Sequence, residues 1–124
     1  MKQLEVWTGR IQDWRYYEGT DILFYDTTLK SGDLNFAPSP ELLWPYKRGE
    51  YNDAEYTEIF YQLTRDRYRA NPEPWEWLIQ QERICLACYC RAGKFCHRHL
   101  LKRPLAGLCQ RKGIRFLDRG ELVW

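Results

Sequence analysis

Apolar positions along the chain fall into a few short runs, divided by longer stretches in which apolar residues recur at helical spacing. Leu4-Glu5-Val6-Trp7 alternates and predicts a short strand closed by Thr8-Gly9. Ile22-Leu23-Phe24-Tyr25 is a compact apolar run and reads as a central strand, whereas Arg10–Thr20 holds Trp14, Tyr16 and Tyr17 without a clean period and reads as loop. Ile84–Tyr89 predicts a second central strand, Ile114-Arg115-Phe116-Leu117 a final core strand, and Leu122-Val123-Trp124 a short edge.

Between these runs the period changes. Ser39-Pro40 is a helix start, with serine as cap and proline at the first helical position, where its missing N–H costs nothing; the helix covers Pro40–Tyr46, before Gly49. Asn52-Asp53-Ala54-Glu55 has capping-box spacing, and Tyr56, Ile59, Phe60, Leu63 and Arg67 follow it at helical intervals. A long amphipathic helix over Asp53–Ala70 is therefore expected. Asn71-Pro72 restarts the chain, and Trp75, Leu78 and Ile79 form the stripe of a helix reaching about Gln81. A further helix begins near Cys96, is kinked or split by Pro104, and ends at Gly113. Strands alternating with helices predict a small α/β fold, three-layer or Rossmann-like, with a mostly parallel sheet and a single domain over residues 1–124.

Composition adds a partner class to this picture. The net charge of +2 conceals an asymmetry: residues 1–80 carry 9 Lys/Arg against 14 Asp/Glu, and residues 81–124 carry 10 against 3. The basic end favours an anionic partner, either a phosphate-bearing small molecule such as a nucleotide or a nucleic-acid backbone; alternatively the two halves neutralise each other across one surface. Six tryptophans, nine tyrosines and five phenylalanines serve packing, and surplus rings can line a pocket for a planar ligand. Met1–Arg10 lacks a signal-peptide pattern and no window reaches the length of a membrane span, so a cytoplasmic protein without membrane contact is expected. Thiols stay reduced there, and five cysteines do not suggest a disulfide scaffold. Oligomeric state leaves no signature in these residues.

Four of the five cysteines and both histidines lie in Ile84–His99. If the two central strands are parallel, the loops after Tyr25 and after Tyr89 share the carboxyl edge of the sheet, where open α/β sheets bind ligands. That edge would gather Asp26, Thr27, Thr28, Lys30 and Ser31 with Cys90, Lys94, Cys96, His97 and Arg98. Cys96 near a helix start, with Lys94 and Arg98 beside it, suits a thiolate or a bound anion. In an enzymatic reading Cys96 or Cys90 is the nucleophile and His97 transfers protons. Asp26 orients the imidazole or substrate, or else caps the Thr27–Lys30 turn. Thr27, Thr28, Lys30, Ser31, Lys94 and Arg98 contact the ligand, and Phe36 and Tyr89 pack its planar part. No GxxxxGK[ST] or GxGxxG loop is present.

A zinc site at Cys88, Cys90, Cys96 and His99 is the alternative, although same-face strand residues lie about 6.5 Å apart and Cys88 and Cys90 must turn to share a metal. Cys85 and Cys88, on opposite faces of the strand, otherwise read as core, and Cys109 as structural.

Asp26-Thr27-Thr28-Leu29-Lys30-Ser31-Gly32, Phe36-Ala37-Pro38-Ser39, the Tyr51–Tyr61 stretch and Cys88–Leu100 together resemble the family called domain of unknown function 488, in its small single-domain branch. The resemblance spans roughly Ile22 to Leu108. It implies a compact α/β protein and supports the site's location without naming a substrate. Positions that look characteristic are Asp26, Lys30, Ser31, Phe36, Pro38, Ser39, Tyr89, Cys90, Cys96, His97 and Arg98. Pro104 and Gly107 depart from the uninterrupted helix the resemblance implies.

The expected function is hydrolysis, or transfer of a group, on an anionic small molecule by a cysteine thiolate, with no resident cofactor. A nucleic-acid-binding module and a zinc-stabilised structural or interaction domain are the rivals.

Overall fold

A computed structural model describes residues 2–91 and 93–123. In chain order the elements are β1 (Gln3–Arg10), a 3-10 helix (Ile11–Tyr17), β2 (Leu23–Asp26), α1 (Pro40–Lys47), α2 (Asp53–Ala70), α3 (Glu73–Leu78), β3 (Arg83–Cys88), α4 (His97–Leu100), α5 (Lys102–Arg111) and β4 (Arg115–Glu121). The four strands form one sheet in the order β2-β3-β1-β4, and every pairing is parallel. This is the small α/β fold with a parallel sheet that the alternating pattern predicts.

Register divides the sheet into two unlike faces. Val6 sits opposite Ile84, Thr8 opposite Leu86 and Leu23 opposite Ile84, so one face presents Leu4, Val6, Ile84 and Leu86. These residues form a single core with Leu42 of α1, Phe60 of α2, Trp75 of α3 and Leu105 of α5. The other face is covered by the 3-10 helix, where the Tyr17 ring lies 4.6 Å from Phe24 and its hydroxyl accepts from Cys85 Sγ at 3.2 Å. The third layer is thus only a short 3-10 segment.

The segment Arg10–Thr20, expected as loop, continues β1 through Arg10 and then coils, because burying Tyr17 against Phe24 and Cys85 gives it an anchor that sequence period does not register. The long helix α2 has the predicted bounds, and both halves of its capping box form: Glu55 N donates to Asn52 Oδ1 and Asn52 N to Glu55 Oε1. Helix α3 stops at Leu78, short of Gln81, because the chain must reverse into β3 through Glu82 at φ 72°. The break expected from Pro104 falls at Leu101. Pro104 thereby occupies the first turn of α5, where N–H groups have no helical partner to lose. Strand β4 extends to Glu121, and Leu122 N still donates to Thr8 O; of the expected edge, Trp124 lies outside the described residues. No described helix is long and apolar enough to cross a membrane.

Candidate functional site

Because β2 pairs directly with β3, the loops leaving their carboxyl ends are neighbours, as the parallel arrangement requires. The first loop is built around Asp26. Its Oδ1 accepts from Thr28 N at 2.9 Å and its Oδ2 from Ser31 Oγ at 2.6 Å, while Asp33 N returns to Asp26 O. Since the Ser31 hydroxyl proton goes to Asp26, the Tyr89 hydroxyl, 3.1 Å from Ser31 Oγ, is the donor of that pair and ties the second loop to the first. Asp26 therefore takes the second of its two expected roles and caps the turn, with its carboxylate bonded to Thr28 N and Ser31 Oγ in an Asp26–Ser31–Tyr89 chain and not to His97.

Gly32 closes the turn without room for a side chain: a Cβ there would overlap Asp26 O and stand 2.5 Å from Thr28 N, both backbone atoms that cannot swing away. Gly32→Ala is expected to cost about 1–3 kcal/mol of stability and to detach Tyr89 from Ser31, seen as a lowered denaturation midpoint and loss of hydrogen-exchange protection at Thr28.

The second loop carries the thiols. Cys88 is the last residue of β3 and faces the helical layer; the chain then turns through Tyr89 and Cys90 and returns, past Gly93 at φ 78°, to Cys96, which caps the four-residue α4. Leaving the strand removes the separation that keeps same-face strand residues apart and brings the Cys88 and Cys96 sulfurs within 4.8 Å of each other, with Cys90 beside them on the exposed side of the loop. Cys88 and Cys96 are buried and Cys90 is exposed. Interaction with Cys88 and Cys96, with help from the nearby Arg98 charge, holds the Cys90 thiol well below the usual thiol range, and the same coupling raises Cys88. Cys96 is raised too, by its coupling to Cys88 and Cys90 and by burial. The three thiols titrate as one coupled group, in which the exposed Cys90 is favoured over the buried Cys88 and Cys96 to carry the negative charge.

Arg98 corrects an expectation. It is fully buried, and its guanidinium is spent inside the protein: Nη2 pairs with Glu121 Oε2 at 2.6 Å, Nη1 donates to Cys88 Sγ at 2.9 Å and to Cys90 O at 2.8 Å, and Nη2 donates to Arg91 O at 3.1 Å. It builds the second loop and is not a ligand contact. Glu121, whose Oε1 also accepts from the Thr8 hydroxyl, was not foreseen; its signal is an acid at the carboxyl end of a parallel strand, on the same edge as the cysteines. Phe36 is likewise withdrawn from any ligand. It is wholly buried, with its ring 4.5 Å from Trp75 and 5.7 Å from Tyr25. Lys30 and Lys94 are exposed, and Thr27 and Thr28 are buried in the loop framework.

His97 is buried beneath the thiols. Its Nε2 lies 2.7 Å from Thr27 O and 3.0 Å from Thr27 Oγ1, whose own proton goes to Ala87 O, so Nε2 carries the hydrogen and Nδ1 is bare. Nδ1 faces Cys96 Sγ at 3.5 Å. The Nδ1 and sulfur atoms of His97, Cys88 and Cys96 lie within 4.8 Å of one another, a donor set able to hold a metal ion among the described residues. His99 does not belong to that set. It neighbours His97 by two positions on a short helix and so points elsewhere, which moves the metal alternative from His99 to His97.

Burial pushes His97 down to about 4, against 6.5 for an ordinary imidazole. The unfolded chain therefore binds a proton that the fold rejects: stability is fully present above pH 6.5 and falls as pH drops toward 4. The expected loss is about 3 kcal/mol, checked by denaturation midpoints across that window, and His97→Asn should flatten the dependence.

A family model described as the active DUF488-N3 subclade matches residues 6–107, which include both loops and every sulfur of the cluster. No curated protein and no solved structure matches the chain.

Proposed function

The chain belongs to the family of domain of unknown function 488, and on that footing we propose that it is a thiol-dependent hydrolase or transferase acting on an anionic, phosphate-bearing small molecule, with Cys90 as nucleophile. The observation that carries this reading is an exposed cysteine beside two buried thiols, with the Arg98 guanidinium bonded to Cys90 O and Cys88 Sγ, a setting that favours the Cys90 thiolate. A thiolate is the reactive form of cysteine, and this one needs no base to create it. Lys30 and Lys94 on the two loops supply exposed positive charge for the anionic part of the substrate, and Tyr89 offers a half-exposed ring anchored to Ser31.

In the proposed reaction the Cys90 sulfur forms a bond to the electrophilic atom as the bond to the leaving group breaks. The leaving group takes the proton of the Cys96 thiol. Water or an acceptor hydroxyl then attacks the adduct, returns a proton to Cys96, and frees Cys90 as thiolate. His97, neutral and with Nδ1 3.5 Å from Cys96 Sγ, takes that thiol's hydrogen bond once the Cys90 sulfur is in the adduct and no longer charged. The test is release of product from a panel of phosphate mono- and diesters, with intact-mass detection of an adduct confined to the Cys90 peptide. Turnover that Cys90→Ala leaves unchanged would reject the assignment.

A second reading rests on the same donors. Zinc–sulfur bonds of about 2.3 Å and zinc–nitrogen bonds of about 2.0–2.1 Å at a tetrahedral angle place the two donors about 3.5 Å apart, which is the separation of Cys96 Sγ and His97 Nδ1. A histidine whose Nε2–H is fixed on a carbonyl is also prepared to ligate through Nδ1. Cys88, Cys96 and His97 would hold the ion and Cys90 would complete the set, making the loop a zinc-stabilised element.

A further inference from the structure

Five of the ten basic residues of 81–124 are ion-paired within the fold. Arg83 and Arg119 pair with Glu5, Arg98 with Glu121, Lys102 with Asp118 and Lys112 with Glu76. Among the arginines of that segment that form no ion pair among the described residues, Arg103 and Arg111 project from α5 one turn either side of Gly107. Facing them on α2 are Arg65 and Arg69, also without an acidic partner among the described residues; the side chain of Arg65 donates to Gln62 instead. The two helices enclose a groove of about 640 Å³, and Glu58 is the one carboxylate in its described lining.

Aromatic rings alternate with these charges. The Arg103 guanidinium lies 5.3 Å from the centre of the Tyr61 ring and that of Arg111 lies 5.7 Å from Tyr68. A guanidinium laid on a ring keeps its N–H edge available for a phosphate while its rotamer is already chosen. Trp75 forms part of the lining, and its buried indole N–H has no hydrogen-bond partner among the described residues. Gly107 completes the lining: a Cβ at this position would meet nothing within 4 Å, so the missing side chain leaves space and not a tight contact. Pro104 and Gly107, the two residues that interrupt the regular helix pattern, are thus both groove residues.

We propose that the α2–α5 groove binds a single strand of nucleic acid, its phosphates on Arg65, Arg69, Arg103 and Arg111 and its bases against Tyr61 and Tyr68. Unpaired arginines interleaved with rings along a concave track are the chemistry of strand binding without sequence readout. The recognised unit is a phosphate with a planar base, which a free nucleotide also offers. This surface lies on the outer side of the helical layer and is independent of the thiol reading.

The experiment is fluorescence anisotropy with a labelled oligothymidine of about twelve nucleotides, titrated at several salt concentrations, with circular dichroism melting of each variant. The wild-type chain is expected to bind with a slope of log K against log salt near −3, about −0.7 for each arginine engaged. Gly107→Leu keeps every charge and should not lower the melting temperature, since glycine is a poor helix residue, yet it should weaken binding at least about tenfold by filling the groove. Arg103→Gln with Arg111→Gln should flatten the slope by about 1.4, while Arg15→Gln with Arg115→Gln, on the opposite face of the sheet, should leave binding nearly unchanged. The proposal is overturned if the wild type does not bind, if Gly107→Leu binds as the wild type does, or if the two double variants weaken binding equally. Equal binding of a duplex, or displacement by thymidine monophosphate at matched nucleotide concentration, would also overturn it in favour of a general basic surface or a nucleotide pocket.

Discussion

Replacing Arg98 by leucine is expected to lower stability by about 3–5 kcal/mol, the largest loss for any single site described above. The guanidinium is fully buried, and its removal strands the Glu121 carboxylate and the carbonyls of Cys90 and Arg91 together. A buried charge left without its partner costs far more than the pair itself contributes. Most 124-residue domains have little more than this in reserve, so Arg98→Leu should be partly unfolded at 37 °C. Arg98→Lys keeps the charge but cannot serve the sulfur, the two carbonyls and the carboxylate at once, and should fall between the two. Denaturant midpoints check the order wild type, lysine, leucine. Glu121→Leu combined with Arg98→Leu should recover part of the loss, because both charges leave together.

Cys90→Ser carries the second large effect, and it falls on chemistry. The side chain is exposed, so the fold should persist, with a loss of stability limited to the thiolate's interactions with the neighbouring thiols and Arg98. Turnover of any phosphate ester found to be a substrate should fall by about three orders of magnitude or more, since a serine hydroxyl at this site has no base to deprotonate it. Cys109→Ala provides the contrast. That thiol is buried in the core on α5 and raised to about 11 by burial, so its replacement should lower stability and leave turnover of the folded fraction unchanged.

Elements with strong local signals were legible from the chain: α2 through its capping box and period, and β2 and β3 through apolar runs short enough to be strands. From those two strands the meeting of the Asp26 and Cys90 loops followed by geometry alone. What stayed hidden depends on contacts distant in sequence. Arg98 and Lys94 look alike as cations in a loop, and only the carboxylate of Glu121, 23 residues away on another strand, decides that Arg98 is structural. Phe36 stands next to polar loop residues, but Trp75 and Tyr25 draw it into the core. His97 and His99 are equivalent by composition, and the carbonyl of Thr27, 70 residues earlier, selects the first. The 3-10 helix, too, is set by Tyr17 reaching Cys85 across the sheet.

The most direct measurement is the rate of alkylation of Cys90 in native protein, followed by mass at graded pH, with metal content determined on the same sample. A thiolate favoured by its coupling to Cys88 and Cys96 predicts metal-free protein in which Cys90 labels at a rate nearly constant from about pH 5 to 8, lower at its plateau than a free thiolate because nucleophilicity falls with pKa. A rate rising about tenfold per pH unit over that range, as for an ordinary thiol, would contradict the account. So would one equivalent of zinc that shields Cys90 until it is chelated, which would assign the cluster to a metal.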